Sequence, residues 1–109
     1  FGAGGNRDKL KRPFMGQVAA NFAKHIIVTS DNPRNEDPDM IIEDILVGIK
    51  NHPSVQVEIN RKEAIKKAME MANENSVVLV LGKGDEATQI IYDEKFPFSD
   101  KEEILKYIK

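Results

Sequence analysis

The sequence predicts an α/β domain of three layers, in which a mostly parallel sheet lies between helices. Short runs rich in β-branched residues alternate along the chain with segments whose apolar residues recur at helical spacing. One run, Val77 to Leu81, is apolar at every position, as is typical of a central parallel strand covered on both faces. Because crossovers between parallel strands are right-handed, few arrangements of these elements remain.

The chain opens with a predicted strand, helix and strand. Phe1-Gly2-Ala3 has the composition of the end of a strand, and we expect that strand to begin before Phe1 in a longer protein. A helix is predicted over residues 13–24, because Pro13 suits the first helical position and apolar residues recur every fourth position behind it. Those residues are Phe14, Val18 and Phe22. Residues 25–29 then form a strand.

The second helix is predicted from residue 38 to about residue 50. Asp37 supplies an N-cap and Pro38 the first-turn proline, and Asn51-His52-Pro53 ends the helix. One apolar stripe is formed by Ile41, Ile42, Ile45, Leu46 and Ile49.

The remaining elements are three strands and two helices. Strands are predicted over residues 55–59, where apolar and polar residues alternate, over 77–81, and over 89–92 at a sheet edge. A third helix presents Ala64, Ile65, Ala68, Met69 and Ala72, and a final one Ile104, Leu105 and Ile108. Two helix starts are predicted from an N-cap residue followed three positions later by a glutamate: Asn60 with Glu63, and Ser99 with Glu102.

Composition narrows the class of protein. The 109 residues fit one small domain, and a net charge of −2 gives no positive field for nucleic acid or an anionic membrane. The chain has no cysteine for disulfides or thiolate metal sites and no apolar run of membrane-spanning length, so we expect a cytoplasmic protein. His25 and His52 have no partner at metal-ligand or triad spacing and are expected to be structural.

Three loops follow predicted strands, at the edge where parallel sheets bind ligands. The first loop, residues 2–12, combines three glycines with four basic residues before a helix and suits phosphate or carboxylate, although it also fits a solvated turn. In the second loop, residues 30–38, Pro33 fixes the direction of Arg34, whose guanidinium can hold a carboxylate with two hydrogen bonds. Alone, Asp31-Asn32-Pro33-Arg34 is equally compatible with an ordinary turn.

The third loop, residues 82–88, matches G-x-G-x-x-A after a strand, the pattern of a dinucleotide-binding turn. That turn belongs at the start of a strand-helix-strand unit with an acidic residue about 20 positions later. Here the chain instead runs into residues 92–100 and ends soon after, so the dinucleotide interpretation is disfavoured.

Three segments resemble, in order and spacing, the C-terminal domain of the Mur ligases, and among them the tripeptide synthetases of peptidoglycan assembly. The segments are FGAGGNRDKLKRPFMG at 1–16, VTSDNPRNEDP at 28–38 and LVLGKGDEATQII at 79–91. The resemblance covers the whole chain and implies a Rossmann-like fold. It also implies a three-domain enzyme whose UDP-sugar-binding and ATPase domains lie outside residues 1–109.

The resemblance implies ATP- and magnesium-dependent addition of an amino acid to UDP-N-acetylmuramoyl-L-alanyl-D-glutamate. The Asp-Asn-Pro-Arg form of the second loop goes with meso-diaminopimelate in that family. By resemblance, the substrate-binding residues are Arg7, Asp31, Asn32, Arg34, Gly82 and Glu86. Asp8 and Lys9 would border the nucleotide when the domain closes. ATP and Mg²⁺ would be bound mainly outside this domain, which is expected to be inactive alone.

Some alternatives stay open at this point. Family members often have other residues where this chain has Asn6, Leu10 and Asp85, which leaves those three positions without a role. The same ligase acting on lanthionine or L-lysine fits the pattern, as does a stand-alone binding module for an amino acid or nucleotide. A sister ligase that adds D-glutamate or the terminal dipeptide would share the fold without the Asp-Asn-Pro-Arg loop.

Overall fold

A computed structural model of the chain describes residues 1–108 and contains four helices and four short strands in that range. The helices are α1 (Lys11–Phe22), α2 (Pro38–Leu46), α3 (Arg61–Met71) and α4 (Asp100–Leu105). The strands are β1 (Ile26–Val28), β2 (Val55–Val57), β3 (Thr88–Ile91) and β4 (Glu94–Pro97).

The strands form two pairs. β1 and β2 are parallel, with Ile26 opposite Val55, and the backbone of Phe1 lies on the free side of β1, where its carbonyl accepts from the Thr29 amide at 2.9 Å. β3 and β4 form an antiparallel hairpin whose turn places Tyr92 in the left-handed region, with φ of 53°. The parallel pair flanked by helices confirms the predicted α/β class.

The apolar core lies between the parallel pair and α2. Val28 and Ile45 are fully buried, and the same cluster contains Ala3, Ile26, Ile41 and Ile42. α1 crosses α2 closely at Gly16, where an added Cβ would lie 2.2 Å from the Ile45 carbonyl oxygen. The buried stripe of α2 is therefore the one that the periodicity predicts.

The predicted helix starts are confirmed at three of the four helices. The side chains of Asp37, Asn60 and Ser99 accept hydrogen bonds from Asp39, Glu63 and Glu102 amides respectively. α1 differs: it begins at Lys11 rather than at residue 13, because the Asp8 side chain already turns the chain by accepting from the Leu10 amide at 2.9 Å. Pro13 then lies within the first turn, where its missing amide removes no helical bond.

The prediction of a central strand over residues 77–81 is wrong for this structure. The segment is not in strand geometry, and alternate apolar residues lie in solvent: Val77 is 85% and Leu79 70% exposed, whereas Val78 and Val80 are half-buried. A strand needs a neighbouring backbone to pair with, and within residues 1–108 none lies alongside this one. The sequence analysis also missed β4, whose residues Glu94–Pro97 are all exposed and carry no apolar alternation.

The apolar repeat that predicts α1 is not buried. Phe14, Val18 and Phe22 are 66%, 58% and 87% exposed. The buried positions of this helix are Arg12 and Gly16. Among residues 1–108 there is no helix with both the length and the apolar character to cross a membrane.

Candidate functional site

The three loops meet at one edge of the structure. The Gly5 amide of the first loop donates to the Asn32 carbonyl of the second at 2.7 Å. Gly82 of the third loop, with φ of 115°, packs against both others, since an added Cβ would lie 2.9 Å from Asp31 Oδ2 and 3.4 Å from the Gly2 carbonyl oxygen. The convergence predicted from three separate strand-end turns is therefore present.

Arg34 is held at its backbone, so that its side chain points in a fixed direction. Its amide donates to the Ile90 carbonyl at 3.1 Å, and its own carbonyl accepts from the Tyr92 amide at 2.7 Å. Its φ of 51° is unusual for a residue other than glycine and is maintained by this docking on β3. Nη1 donates to the Gly5 carbonyl at 2.9 Å.

Arg7 lies beside Arg34 across Gly4. A Cβ built on Gly4 would lie 2.9 Å from Arg34 Nη1 and 3.4 Å from Arg7 Cγ. Arg7 is exposed and donates only to the neighbouring Asn6 carbonyl, at 3.2 Å, and neither arginine forms an ion pair within residues 1–108. The site therefore has two guanidinium groups with N–H donors available for a ligand, and the absence of a side chain at Gly4 allows both groups to fit.

The third loop offers oxygen acceptors. Glu86 is exposed, and its Oε2 lies 3.4 Å from the side-chain nitrogen of Asn32. The Gly82 carbonyl accepts no hydrogen bond within the described part of the chain. Asn32, 3% exposed, contacts both the first loop, through the Gly5 amide, and Glu86.

Lys83 fixes Asn32 and was missed by the sequence analysis. Its side chain is fully buried, and Nζ donates to Asn32 Oδ1 at 2.7 Å and lies 3.4 Å from Asp31 Oδ1. A buried ammonium requires such partners, because an unpaired charge is strongly disfavoured away from water. The signal in the sequence is a lysine between two glycines directly after an apolar run.

Asp31 lies beneath the site rather than at its surface. It is 8% exposed, its carboxylate pairs with Lys83, and its carbonyl accepts from Gln89 Nε2 at 2.8 Å. The Asn32 side-chain oxygen also accepts from the Ile90 amide at 3.0 Å. These bonds join the second and third loops into one polar cluster, which we define as Asp31, Asn32, Lys83 and Gln89.

A second ionic group joins the first loop to the second. Arg12 donates from Nη2 to Glu36 Oε2 at 2.9 Å and from Nη1 to Glu36 Oε1 at 3.1 Å, and it also reaches the Gly4 carbonyl at 3.1 Å. The Asn6 amide donates to the same carboxylate at 2.6 Å. Hydrogen bonds from Arg12, which outweigh the opposing effect of burial, lower the pKa of Glu36 to about 2.

Asp8 and Lys9 lie on the outer side of the first loop. Asp8 is exposed and caps the Leu10 amide, and the Lys9 side chain is 69% exposed with Nζ 3.6 Å from Glu36 Oε1. Both remain available to solvent, and neither contacts the polar cluster. Within residues 1–108 no three His, Asp or Glu side chains are grouped so that they could hold a metal ion.

The chain matches the family described as Mur ligase, glutamate ligase domain, over residues 1–84. The chain belongs to the Mur ligase family. Its fold agrees with a solved family structure titled UDP-N-acetylmuramoyl-L-alanyl-D-glutamate--2,6-diaminopimelate ligase, with a TM-score of 0.92 and 42% identity, over 99% of this chain and 22% of that one.

Two Mur ligases with the same name show how closely the sequence is shared. The protein of Aquifex aeolicus is 56% identical over 92% of this chain, and that of Helicobacter pylori is 53% identical over 98% of it. These matches cover 21% and 24% of the two relatives. The chain therefore spans less than a quarter of the length of these Mur ligases.

Proposed function

We propose that this Mur ligase domain binds the amino acid that a diaminopimelate-adding ligase joins to UDP-N-acetylmuramoyl-L-alanyl-D-glutamate. One observation carries the proposal: Arg34 and Arg7 lie together at the first loop, whose Gly5 amide donates to the Asn32 carbonyl, and the acceptor Glu86 lies 3.4 Å from the Asn32 side chain. Relatives that bear this name are 47–56% identical to the chain, which supports the same assignment.

The arrangement suits the far end of meso-diaminopimelate, where a carboxylate and an ammonium share one carbon. Arg34, with Arg7 beside it, is assigned to the carboxylate, since a guanidinium can donate two parallel bonds to it. Glu86 and the Gly82 carbonyl are assigned to the ammonium, which needs acceptors. Asn32 contacts both the first loop and Glu86 and can bond to either group.

Selection against lysine follows from the same assignment. Lysine lacks the far carboxylate, so bound lysine would leave the guanidinium of Arg34 desolvated without an anionic partner. Sites that pair buried polar groups with a substrate discriminate strongly against analogues that lack them. We therefore assign the choice of amino acid to the second loop.

Asp31, Asp8 and Lys9 have different proposed roles. Asp31 supports the site from below through Lys83 and contributes to substrate binding indirectly. Asp8 and Lys9 are exposed on the first loop and are proposed to border the nucleotide when the domain closes. ATP would activate the muramoyl-peptide carboxylate as an acyl phosphate, and this domain would align the amine for attack.

ATP and Mg²⁺ are proposed to bind mainly in other domains of a three-domain enzyme. The complete enzyme is proposed to act in the cytoplasm, in the synthesis of peptidoglycan precursors and hence in cell shape and division.

An exposed apolar groove supports the proposal that this domain has further chain packed against it. The groove encloses about 460 Å³ and is lined by Phe1, Phe14, Met15, Val18 and Leu81, among others. It lies beside the unpaired segment 77–81. An apolar cleft next to unpaired backbone is the surface that an added strand would cover.

The proposed function is tested by ligation assays on the full-length enzyme. ATP-dependent product formation would be measured with meso-diaminopimelate, lanthionine and L-lysine in parallel, at equal concentrations of the muramoyl dipeptide. We expect diaminopimelate to be used with the highest kcat/KM. A preference for lysine would overturn the assignment of Arg34.

A further inference from the structure

Arg61, the first residue of α3, carries a buried guanidinium that joins the bases of two site loops. The residue is 2% exposed. Its Nη1 donates to the Ser30 carbonyl at 3.0 Å, and its Nη2 donates to the Leu81 carbonyl at 3.1 Å. Ser30 directly precedes Asp31, and Leu81 directly precedes Gly82. One side chain outside the site therefore spans the roots of the second and third loops.

Asp100, the first residue of α4, fixes the plane of that guanidinium. Oδ1 accepts from Arg61 Nε at 2.7 Å and Oδ2 from Nη2 at 2.8 Å, and Asp100 is itself 4% exposed. A two-point pair of this kind orients a guanidinium as well as neutralising it. The remaining N–H groups are thereby directed at the two loop carbonyls.

Two of the three side-chain to side-chain links between the two loops within the site are long. Asn32 Nδ2 and Glu86 Oε2 are 3.4 Å apart, as are Lys83 Nζ and Asp31 Oδ1. The Lys83 to Asn32 bond, at 2.7 Å, is the short one there. Gln89, just beyond the third loop, adds a bond to the Asp31 carbonyl at 2.8 Å, and the Arg61–Asp100 pair adds a buried link between the bases of the two loops.

We propose that Arg61 is a positioning residue that sets the distance between the carboxylate-binding and ammonium-binding sides of the site. This inference rests on the proposed function. The two charged groups of the far end share one carbon, so the loops that hold them must keep a fixed separation, and a site held loosely by about 1 Å loses much of its binding. Arg61 acts on the ligand only through Arg34, Asn32, Gly82 and Glu86.

Arg61→Lys keeps the positive charge but removes the planar guanidinium with its several N–H donors. One ammonium cannot hold both oxygens of Asp100 and reach two carbonyls. We expect the KM for meso-diaminopimelate to rise by about tenfold or more, while the KM for ATP changes by less than about twofold. The ratio of kcat/KM between diaminopimelate and lysine should also fall, because lysine does not engage the far-carboxylate side.

A purely structural role predicts a different pattern. If Arg61 only stabilised the fold, the variant would lose active enzyme, and kcat would fall equally for every substrate. Each KM and the ratio of kcat/KM between diaminopimelate and lysine would then stay at the wild-type value.

The test is steady-state kinetics of the full-length enzyme with diaminopimelate, lysine and ATP varied in turn. Lys66→Ala, an exposed change on the same helix, is the matched control and should resemble wild type. Asp100→Asn keeps the shape of the pair but removes the negative charge, and we expect it to raise the KM for diaminopimelate by about threefold. This variant serves as the test if Arg61→Lys does not fold. A wild-type enzyme that does not use diaminopimelate would overturn the proposed function instead. If the wild type uses diaminopimelate and the folded variant has the same KM for it, the proposed role of Arg61 is wrong.

Discussion

Residues 77–81 and the third loop are adjacent in the chain but have opposite environments. One face of the apolar segment is in solvent, with Val77 85% exposed, whereas the charged Lys83 two residues beyond Leu81 is 3% exposed. The difference lies in the partners. Lys83 finds Asp31 and Asn32 within the chain, and the segment finds no backbone to pair with in residues 1–108. A segment is buried where hydrogen-bonding or ionic partners are present, and within residues 1–108 Lys83 has such partners, whereas no strand pairs with the backbone of residues 77–81.

The largest expected effect comes from breaking the polar cluster at Lys83. Lys83→Met removes the ammonium and leaves Asp31 buried without a cation, which should lower the free energy of unfolding by about 3–5 kcal/mol. Chemical denaturation would measure the loss. Lys101→Met, on the exposed side of α4, is the control and should change stability by less than about 0.5 kcal/mol. Equal effects of the two substitutions would show that the cluster does not hold the loops.

Arg34→Ala tests the cationic side of the site. Loss of a charge-assisted carboxylate contact should raise the KM for diaminopimelate in the full-length enzyme by about 30-fold, equivalent to about 2 kcal/mol. Lys95→Ala, an exposed change on β4, should leave that KM unchanged. The same KM in Arg34→Ala and wild type would remove Arg34 from the site.

The ion pair between Arg12 and Glu36 should make the free energy of unfolding depend on pH. Arg12 lowers the pKa of Glu36 from 4.5 to about 2, so its contribution to stability is present above pH 4.5 and is lost as the pH falls toward 2. Glu36→Gln should cost about 1.5 kcal/mol at neutral pH and flatten the loss of stability between those two pH values. Denaturation curves recorded across this range give the result. A variant as acid-sensitive as wild type would contradict the assignment.

The smallest effect is expected in the exposed apolar segment. Leu79→Thr should change the free energy of unfolding of this chain by less than about 0.5 kcal/mol, because the side chain is 70% exposed. Ile45→Ala, in the fully buried stripe of α2, should cost about 2–5 kcal/mol under the same conditions. In the full-length enzyme, where we propose that the segment is covered, Leu79→Thr should become clearly destabilising. An equally small effect there would argue against that cover.

Local signals predicted the helices and the place of the site well. The caps at Asp37, Asn60 and Ser99 and the burial of Ile41, Ile42 and Ile45 follow from spacing alone, because both depend on neighbours a few residues away. The sequence placed the three loops together by the geometry of parallel strands, and they do meet, although residues 77–81 before the third loop do not form a strand here. The roles of the candidate ligand-binding residues stay predictions.

The failures at residues 77–81, Lys83 and Arg61 depend on contacts that lie far apart in sequence, whereas β4 and the start of α1 are local features that the sequence analysis missed. Val77 to Leu81 has the composition of a central strand, but the composition does not show whether a partner strand is present. Nothing local distinguishes Arg61 from a solvated cation, and the glycines on either side of Lys83 do not show which groups would pair with it. The burial of Lys83 and Arg61 depends on Asn32 and Asp100, which are 51 and 39 residues away.

A crystal structure of the full-length enzyme with meso-diaminopimelate bound tests the proposed zwitterion site most directly. The account predicts the far carboxylate within hydrogen-bonding distance, about 3 Å, of the Arg34 guanidinium. It also predicts the far ammonium at similar distance from Glu86 and the Gly82 carbonyl. A ligand bound elsewhere, or bound with the carboxylate turned toward Glu86, would contradict it.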